Sequence, residues 1–208
     1  MEQFKIRCSA ISQIMSEPRS KADKEAGNLS ETTKSYVHEW LTSQIYGVRK
    51  QLDTKQITKG LEMEERAIEV LQEKYSNQYF MLKNEQYFEN DFMTGTPDVI
   101  TKDAIFDTKC SWDMFSFPLF DSDLNKAYYW QMQGYMHLVG RDKASVAYVL
   151  VNTPERLAYS ETDKYDYEQL PTSKRIKEFW VDYDRDAIEQ IQTRVNQINN
   201  YIKSLNIK

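Results

Sequence analysis

Two aspartates and a lysine lie close together in the sequence, each beside a short run of apolar residues. Asp98 falls within the segment 95–100 (GTPDVI), and Asp107 and Lys109 fall within 105–109 (IFDTK). Short runs rich in Ile, Val and Phe are typical of strands, so both acids should point into one small volume. Like charges buried together are costly unless a cation compensates them. The pattern therefore predicts a divalent metal ion held by Asp98 and Asp107, with Lys109 beside it.

The chemistry of this candidate site follows from its ligands. Aspartate oxygens favour a hard ion such as Mg²⁺ or Mn²⁺ over zinc. A hard ion between carboxylates, beside a lysine that orients or activates water, is suited to hydrolysing phosphodiesters. For an isolated Asp-x-Lys, a simpler alternative is a turn cap by Asp98 and an exposed ion pair between Asp107 and Lys109. The Gly-Thr-Pro-Asp lead-in favours the metal site.

Composition limits the class of protein. The chain has 208 residues, 40% of them hydrophobic and 28% charged, which is ordinary for one globular domain of α/β size. A net charge of −5 argues against a general polyanion binder but allows an enzyme with a local basic lining and a metal ion. Cys8 and Cys110 cannot form a four-cysteine metal site, and a disulfide between them is neither required nor excluded. Without a signal peptide or a long apolar run, we expect a cytoplasmic protein.

Helical and strand periodicities predict an alternating arrangement that brings these residues together. In the first half of the chain we expect a short helix within 4–15 capped by Ser9, a flexible loop over 16–29, a helix from the cap Ser30 to about Tyr46, a helix over 55–76 and a hairpin over 79–94. A strand around 104–110, an aromatic loop over 112–120 and a helix over 124–139 should follow. The last elements should be a strand over 144–152, a loop over 153–174, a strand over 175–183 and a helix starting at Asp184.

Several of these elements allow two interpretations. Arg7 and Ser9 at the first helix form either a phosphate-binding helix start or a capped surface helix with a solvated arginine. The aromatic loop either folds back onto the core or provides a surface that stacks or separates bases. The apolar seam of the last helix packs either on the sheet or against another chain. The acidic face of the helix over 55–76 is either solvated, or one of its glutamates completes the metal site. Those glutamates are Glu62, Glu64, Glu65 and Glu69.

Four motifs occur in an order that resembles a known superfamily. They are Gly-x-x-x-Glu-x-x-Ala at Gly60 to Ala67, Pro97-Asp98, Asp107-x-Lys109 and Gln131-x-x-x-Tyr135. Together they resemble the PD-(D/E)xK nucleases, in the RecB-like branch that carries Gln-x-x-x-Tyr. The segment 128–136 (YYWQMQGYM), with an Arg-then-Ser helix start, is similar to the phage lambda exonuclease and YqaJ-type viral recombinase group.

This resemblance implies an α/β fold with a restriction-endonuclease-like core, in which helices flank a central mixed β-sheet. It implies a single nuclease domain over 1–208. Within that domain we expect a helical N-terminal segment over 1–50, a core with the motifs over 55–152, and the final strand and helix over 175–208.

The resemblance also implies roles for individual residues. Glu64 is the helix carboxylate, Lys109 positions the attacking water, and Gln131 supports it, with Tyr135 as a further support. Asp98 and Asp107 are the ligands of Mg²⁺, for which Mn²⁺ can substitute. We also expect the carbonyl of Thr108, which lies on the same strand edge, to be a ligand of the metal ion. Arg7 and Ser9 correspond to a pocket for a 5′-phosphate. Asp107 replaces the usual glutamate and shortens that ligand.

The function implied is an Mg²⁺-dependent exonuclease that degrades linear double-stranded DNA from the 5′ end in phage-type recombination by single-strand annealing. The resemblance further implies double-stranded DNA ends and a single-strand annealing protein as partners, a homotrimer, no membrane, and a bacterial host cytoplasm. Alternatives are a structure- or sequence-specific endonuclease of the same fold and a non-catalytic module that binds DNA ends.

Overall fold

A computed structural model describes residues 3–50 and 54–205, so the termini of the predicted domain and residues 51–53 lie outside it. Apart from 3₁₀ turns, one short strand is followed by four helices and then four strands, and helices and strands alternate only from residue 126 onward. The strands are β1 (Ile6–Arg7), β2 (Phe88–Glu89), β3 (Met93–Gly95), β4 (Val99–Ile100), β5 (Ile105–Cys110), β6 (Lys143–Val149) and β7 (Ile176–Asp182). The helices are α1 (Ile11–Ile14), α2 (Lys21–Glu25), α3 (Glu31–Tyr46), α4 (Lys55–Tyr75), α5 (Lys126–Val139), α6 (Thr172–Arg175) and α7 (Arg185–Ser204).

The strands form two mixed sheets. The four-stranded sheet has the order β4-β5-β6-β7, in which β5 and β6 are parallel and the outer pairs are antiparallel. The smaller sheet has the order β1-β3-β2, with β1 parallel to β3. The predicted α/β class with a mixed sheet flanked by helices is confirmed, and the smaller sheet is an addition that the sequence did not predict.

Two hydrophobic cores lie on opposite faces of the four-stranded sheet. Ile105 of β5 belongs to a larger core shared with α1, α3, α5 and α7, and its neighbour Phe106 belongs to a second core shared with α4. Side chains alternate between the faces of a strand, so β5 is buried on both sides. The same alternation places Asp107 and Lys109 on the face that α5 covers. The larger core draws residues from all three predicted segments of the chain.

Most predicted helix ends are observed. The Ser30 hydroxyl accepts a hydrogen bond from the Thr33 amide at 3.1 Å, and Gly47 ends α3 at a φ of 68°. Asp184 caps α7, whose apolar seam is buried in the larger core, where it contacts α1 and α5 of this chain. Among the described helices, none has the length and apolar character needed to cross a membrane.

Three local predictions are wrong. Ser9 caps no helix, because it lies inside a 3₁₀ turn over Cys8–Ala10 and α1 starts after Ala10 without a side-chain cap. The predicted loop 16–29 contains α2, which Ser20 caps through the Asp23 amide. The hairpin predicted over 79–94 is limited to β2 and β3, since residues before β2 form only an isolated bridge between Lys83 and Val99.

Two glycines allow the N-terminal segment to pack closely between β3 and α5. A Cβ atom on Gly134 would lie 2.7 Å from both Cys8 Sγ and Ile11 Cδ1. A Cβ atom on Gly95 would lie 2.7 Å from Tyr135 Cε1 and 3.0 Å from Cys8 Sγ. These distances leave no space for a larger residue. The fit holds α5 against the strand that leads into the Gly-Thr-Pro-Asp segment.

A buried lysine connects α4 to the ends of two central strands. The Lys59 side chain is fully buried, and its ammonium donates hydrogen bonds to the carbonyls of Ser111 (2.8 Å), Trp112 (2.8 Å) and Val151 (3.0 Å). Ser111 follows β5 and Val151 follows β6. Three acceptors satisfy all three donors of the ammonium group. Helical periodicity alone gave no sign of this contact.

Replacement of Lys59 by Met should destabilise the protein by about 2–4 kcal/mol, because it leaves three buried carbonyls without their donor. The free energy of unfolding from urea denaturation measures this loss. Lys203→Met, at an exposed position of α7, should change it by less than about 0.5 kcal/mol. Equal stability of the Lys59→Met variant and the wild type would show that the three hydrogen bonds contribute nothing net.

Candidate active site

The two aspartates meet where β4 and β5 pair. Asp98 immediately precedes β4, whose Val99 pairs with Phe106 of β5 in antiparallel register. The Thr108 amide and hydroxyl both donate hydrogen bonds to Asp98 Oδ2, at 2.7 and 3.0 Å. Asp98 is therefore fixed against the residue that separates Asp107 from Lys109. The structure brings the acids together from neighbouring strands, as the sequence predicts.

Asp107 is the best-buried member of the cluster, with 1% of its surface exposed. Its Oδ2 lies 2.5 Å from Lys109 Nζ, and its Oδ1 accepts a hydrogen bond from Gln131 Nε2 at 3.0 Å. Gln131 Nε2 also donates to the Tyr135 hydroxyl at 3.2 Å, one helical turn along α5. The buried glutamine thus has the partner that its position requires. That partner is Asp107 rather than Lys109.

Tyr128 is a contact of Lys109 to which sequence reasoning gave no role. Lys109 Nζ lies 5.0 Å from the centre of the Tyr128 ring, within the range of a cation–π interaction. Tyr128 packs edge-to-face on Tyr148 of β6, which holds the ring in place. Tyr128 precedes Gln131 by three residues, which places both side chains on one face of α5. This spacing is the sequence feature that could have assigned Tyr128 to the site.

Burial and the charges within the cluster shift the pKa values of its members. Burial, followed by the negative charge of Asp107, raises the pKa of Asp98 from its ordinary 3.8 to about 7. Burial alone would lower the pKa of Lys109, but Asp107 and Asp98 outweigh this effect and raise it above its usual value. Lys109 is therefore an ammonium group, and two carboxylates share one positive charge. Within the part of the chain that the structure describes, no second cation pairs with these two carboxylates.

The donor set fits a hard divalent ion. Asp107 Oδ2 is buried and has no donor aligned for a hydrogen bond, although Lys109 is close. This buried anionic oxygen, whose close neighbour is the Lys109 ammonium, lies beside a carboxyl group with a raised pKa and is suited to a metal ligand. Among residues 3–50 and 54–205, no three His, Cys, Asp or Glu side chains form a closed metal-binding group. Mg²⁺ tolerates this arrangement, since it is usually bound by one or two carboxylates together with water and phosphate.

Glu64 is the glutamate of α4 whose charge reaches the site. It adds to the raised pKa of Asp98, though less than burial and Asp107 do. Its Oε1 also lies 3.3 Å from Lys83 Nζ, so it is already paired with a cation. Glu62 pairs with Arg156, and Glu69 pairs with Arg66. Glu64 as a metal ligand stays a prediction.

Arg7 and Ser9 are exposed, and neither has a hydrogen bond or an ion pair to the acid cluster within the described chain. Arg7 ends β1 and lines a cavity between α3 and the small sheet, whereas Ser9 does not line that cavity. Their assignment to a 5′-phosphate pocket stays a prediction.

The aromatic loop after β5 is partly buried and partly exposed, so each of its two interpretations applies to some of its rings. Phe117 is buried against Leu150 and Tyr167, so part of the loop folds back onto the protein. Phe115 and Phe120 are 78% and 94% exposed. These two rings remain available to a ligand.

Comparison with known proteins agrees with the fold. A phage-related exonuclease from Haemophilus somnus has 38% sequence identity and a TM-score of 0.86, over 96% of this chain and 94% of that one. An alkaline exonuclease from Laribacter hongkongensis has the same fold at 15% identity and a TM-score of 0.69, over 96% and 91% of the two chains. Its complex with dAMP gives 14% identity and a TM-score of 0.71, over 96% and 88%. No family model and no protein of curated function matches.

The chain belongs to the phage-related exonucleases, which confirms the resemblance to the lambda exonuclease and YqaJ group.

The raised pKa of Asp98 predicts a pH-dependent stability in the absence of metal. Between about pH 4 and pH 7, the unfolded chain loses this proton while the folded protein retains it, so stability falls as the pH rises. In EDTA, the free energy of unfolding should fall between pH 5 and pH 8 more in the wild type than in Asp98→Asn, by on the order of 2 kcal/mol.

The matched control is Asp103→Asn, in the exposed turn between β4 and β5, which should retain the wild-type pH dependence. Parallel curves for the wild type and Asp98→Asn would contradict the charge imbalance at the site.

Proposed function

We propose that this protein is a Mg²⁺-dependent deoxyribonuclease that hydrolyses the phosphodiesters of linear double-stranded DNA from its ends. The observation that carries the proposal is the cluster of Asp98, Asp107 and Lys109. It combines two carboxylates with a single ammonium group, which contacts the buried Asp107 oxygen Oδ2. Membership of the phage-related exonucleases favours an end-dependent enzyme over an endonuclease.

The carboxylates have distinct parts in this scheme. Asp98, fixed by two hydrogen bonds from Thr108, and Asp107, fixed by Gln131, would hold the cation together with the Thr108 carbonyl. When bound, the ion neutralises charge on the phosphate and lowers the pKa of water. Because the side chains are already oriented by their neighbours, little reorganisation accompanies binding. Mn²⁺ accepts the same oxygen ligands and should substitute.

Lys109 supplies a positive charge on the same face as Asp107. It donates hydrogen bonds to the attacking water or to a phosphate oxygen, and it remains protonated because the carboxylates raise its pKa. Tyr128 and Asp107 limit the positions of the ammonium group. Gln131 acts through Asp107, and Tyr135 in turn contacts Gln131. These two residues are therefore positioning residues.

The remaining features of the proposed activity rest on family membership. We infer 5′ to 3′ polarity, a homotrimer, a single-strand annealing protein as partner, and a role in phage recombination in the cytoplasm of a bacterial host. The alkaline exonuclease of the same fold has been crystallised with dAMP, which supports a nucleotide site in this architecture.

Replacement of Lys109 by Ala should lower kcat for linear duplex DNA by about 10²–10³-fold, because it removes a charge aimed at the reacting phosphate. Duplex affinity, measured in Ca²⁺ without turnover, should stay close to that of the wild type. Lys102→Ala, in the exposed turn between β4 and β5, is the control and should retain activity. Cleavage by Lys109→Ala at near the wild-type rate would remove Lys109 from the mechanism.

End-labelled duplexes separate the possible activities. In Mg²⁺ the protein should degrade linear duplexes, faster when the 5′ end carries a phosphate, and should leave covalently closed circles intact. EDTA should abolish the reaction, since the two carboxylates alone cannot activate water. Linearisation of the circle would indicate an endonuclease, and no cleavage under any condition would indicate a binding module.

A further inference from the structure

A cavity of about 550 Å³ lies between α3 and the small sheet, apart from the acid cluster. We name it the α3 groove. Its cationic walls are Lys5 and Arg7 on the sheet side, and Arg49 and Lys50 just after α3. Its volume is within the range of pockets that hold a small ligand. A chain with a net charge of −5 thus gathers four cationic side chains around one recess.

Half of these cations are already paired. Lys5 lies 3.2 Å from Glu89, and Lys50 lies 3.2 Å from Glu39; these are the two carboxylates of the groove. Four cations against two carboxylates leave a local charge of +2. Within residues 3–50 and 54–205, Arg7 and Arg49 have no acidic partner. Guanidinium groups match the geometry of phosphate oxygens and often bind them through two hydrogen bonds.

Aromatic rings line the same recess. Tyr36 and Trp40 of α3 are held edge-to-face by buried Phe4, at centroid distances of 6.4 and 5.1 Å, so their positions are fixed. Tyr87, just before β2, is 59% exposed and free to stack on a base. A cationic groove with aromatic surfaces is the combination by which proteins bind single-stranded nucleic acids without sequence preference.

The groove starts on the strand that leads to the acid cluster. Thr94 of β3 lines it, pairs with Arg7 of β1, and precedes Asp98 by four residues. Four residues span at most about 14 Å, so one strand of DNA can reach both places. We propose that the α3 groove binds single-stranded DNA and, given the proposed nuclease activity, holds the strand next to the site of cleavage.

The test measures the affinity for a fluorescent oligothymidylate of about 12 nucleotides by anisotropy, in EDTA so that no cleavage occurs. Arg49→Glu should weaken binding by at least about tenfold and reduce the salt dependence of log K by about 0.7 per lost phosphate contact. Tyr87→Ala should weaken binding by at least about fivefold through lost stacking, without changing that slope. Both positions are exposed, so the Tm values should match the wild type.

Lys203→Glu, at an exposed position of α7, reverses a charge outside the groove and should retain the affinity. The proposal is overturned if the wild type does not bind the oligonucleotide, or if Arg49→Glu binds it as tightly as the wild type. It is also overturned if Lys203→Glu loses as much affinity as Arg49→Glu. If Arg49→Glu changed the sedimentation coefficient but not the affinity for the oligonucleotide, the groove would instead be an interface between copies of this chain. Because the assay involves no cleavage, its result is independent of whether the protein degrades DNA.

Discussion

Two carboxylates and one ammonium group share a volume from which water is largely excluded, and much of the molecule serves to hold them there. Burial and mutual repulsion raise the pKa of Asp98, while both acids keep Lys109 charged. Such an arrangement opposes folding unless the surrounding structure enforces it. The site therefore stores an uncompensated negative charge, which the divalent cation of the proposed mechanism would relieve.

The fold enforces this arrangement from two directions. The β4–β5 pairing brings Asp98 to Thr108, whose backbone amide and side-chain hydroxyl both donate to this acid and fix it. On the opposite side, α5 presents Gln131 to Asp107 and the Tyr128 ring to Lys109. The position of α5 depends on the close contact of its Gly134 with the N-terminal segment. Residues far apart in the chain thus determine the orientation of the side chains in the acid cluster.

The acid cluster was predictable from sequence because its members lie within twelve residues, on strands too short to place them elsewhere. The caps Ser30 and Asp184 were predictable for the same local reason. The burial of helix faces was less predictable: Ile45 of α3 and Leu61 of α4 are apolar residues at helical spacing, but they are 52% and 68% exposed. Periodicity identifies a face, whereas tertiary contacts decide how much of its length is covered.

Other features arise only from the assembled fold. The partners of Lys59 are carbonyls at the ends of two strands, a contact that no local pattern encodes. The α3 groove likewise combines residues from β1, α3 and β2, whose proximity depends on the small sheet that the sequence did not predict. Ser9 was assigned as a cap because serine favours that position, but the chain forms a 3₁₀ turn there instead.

The seat of Cys8 between two glycines has a practical consequence. Its thiol is fully enclosed, and burial raises its pKa far above the ordinary value, which disfavours the nucleophilic thiolate. Alkylating reagents should modify Cys8 only when the N-terminal segment detaches from α5. The rate at which Cys8 is labelled should therefore report how often the N-terminal segment separates from α5, the helix that supports the acid cluster.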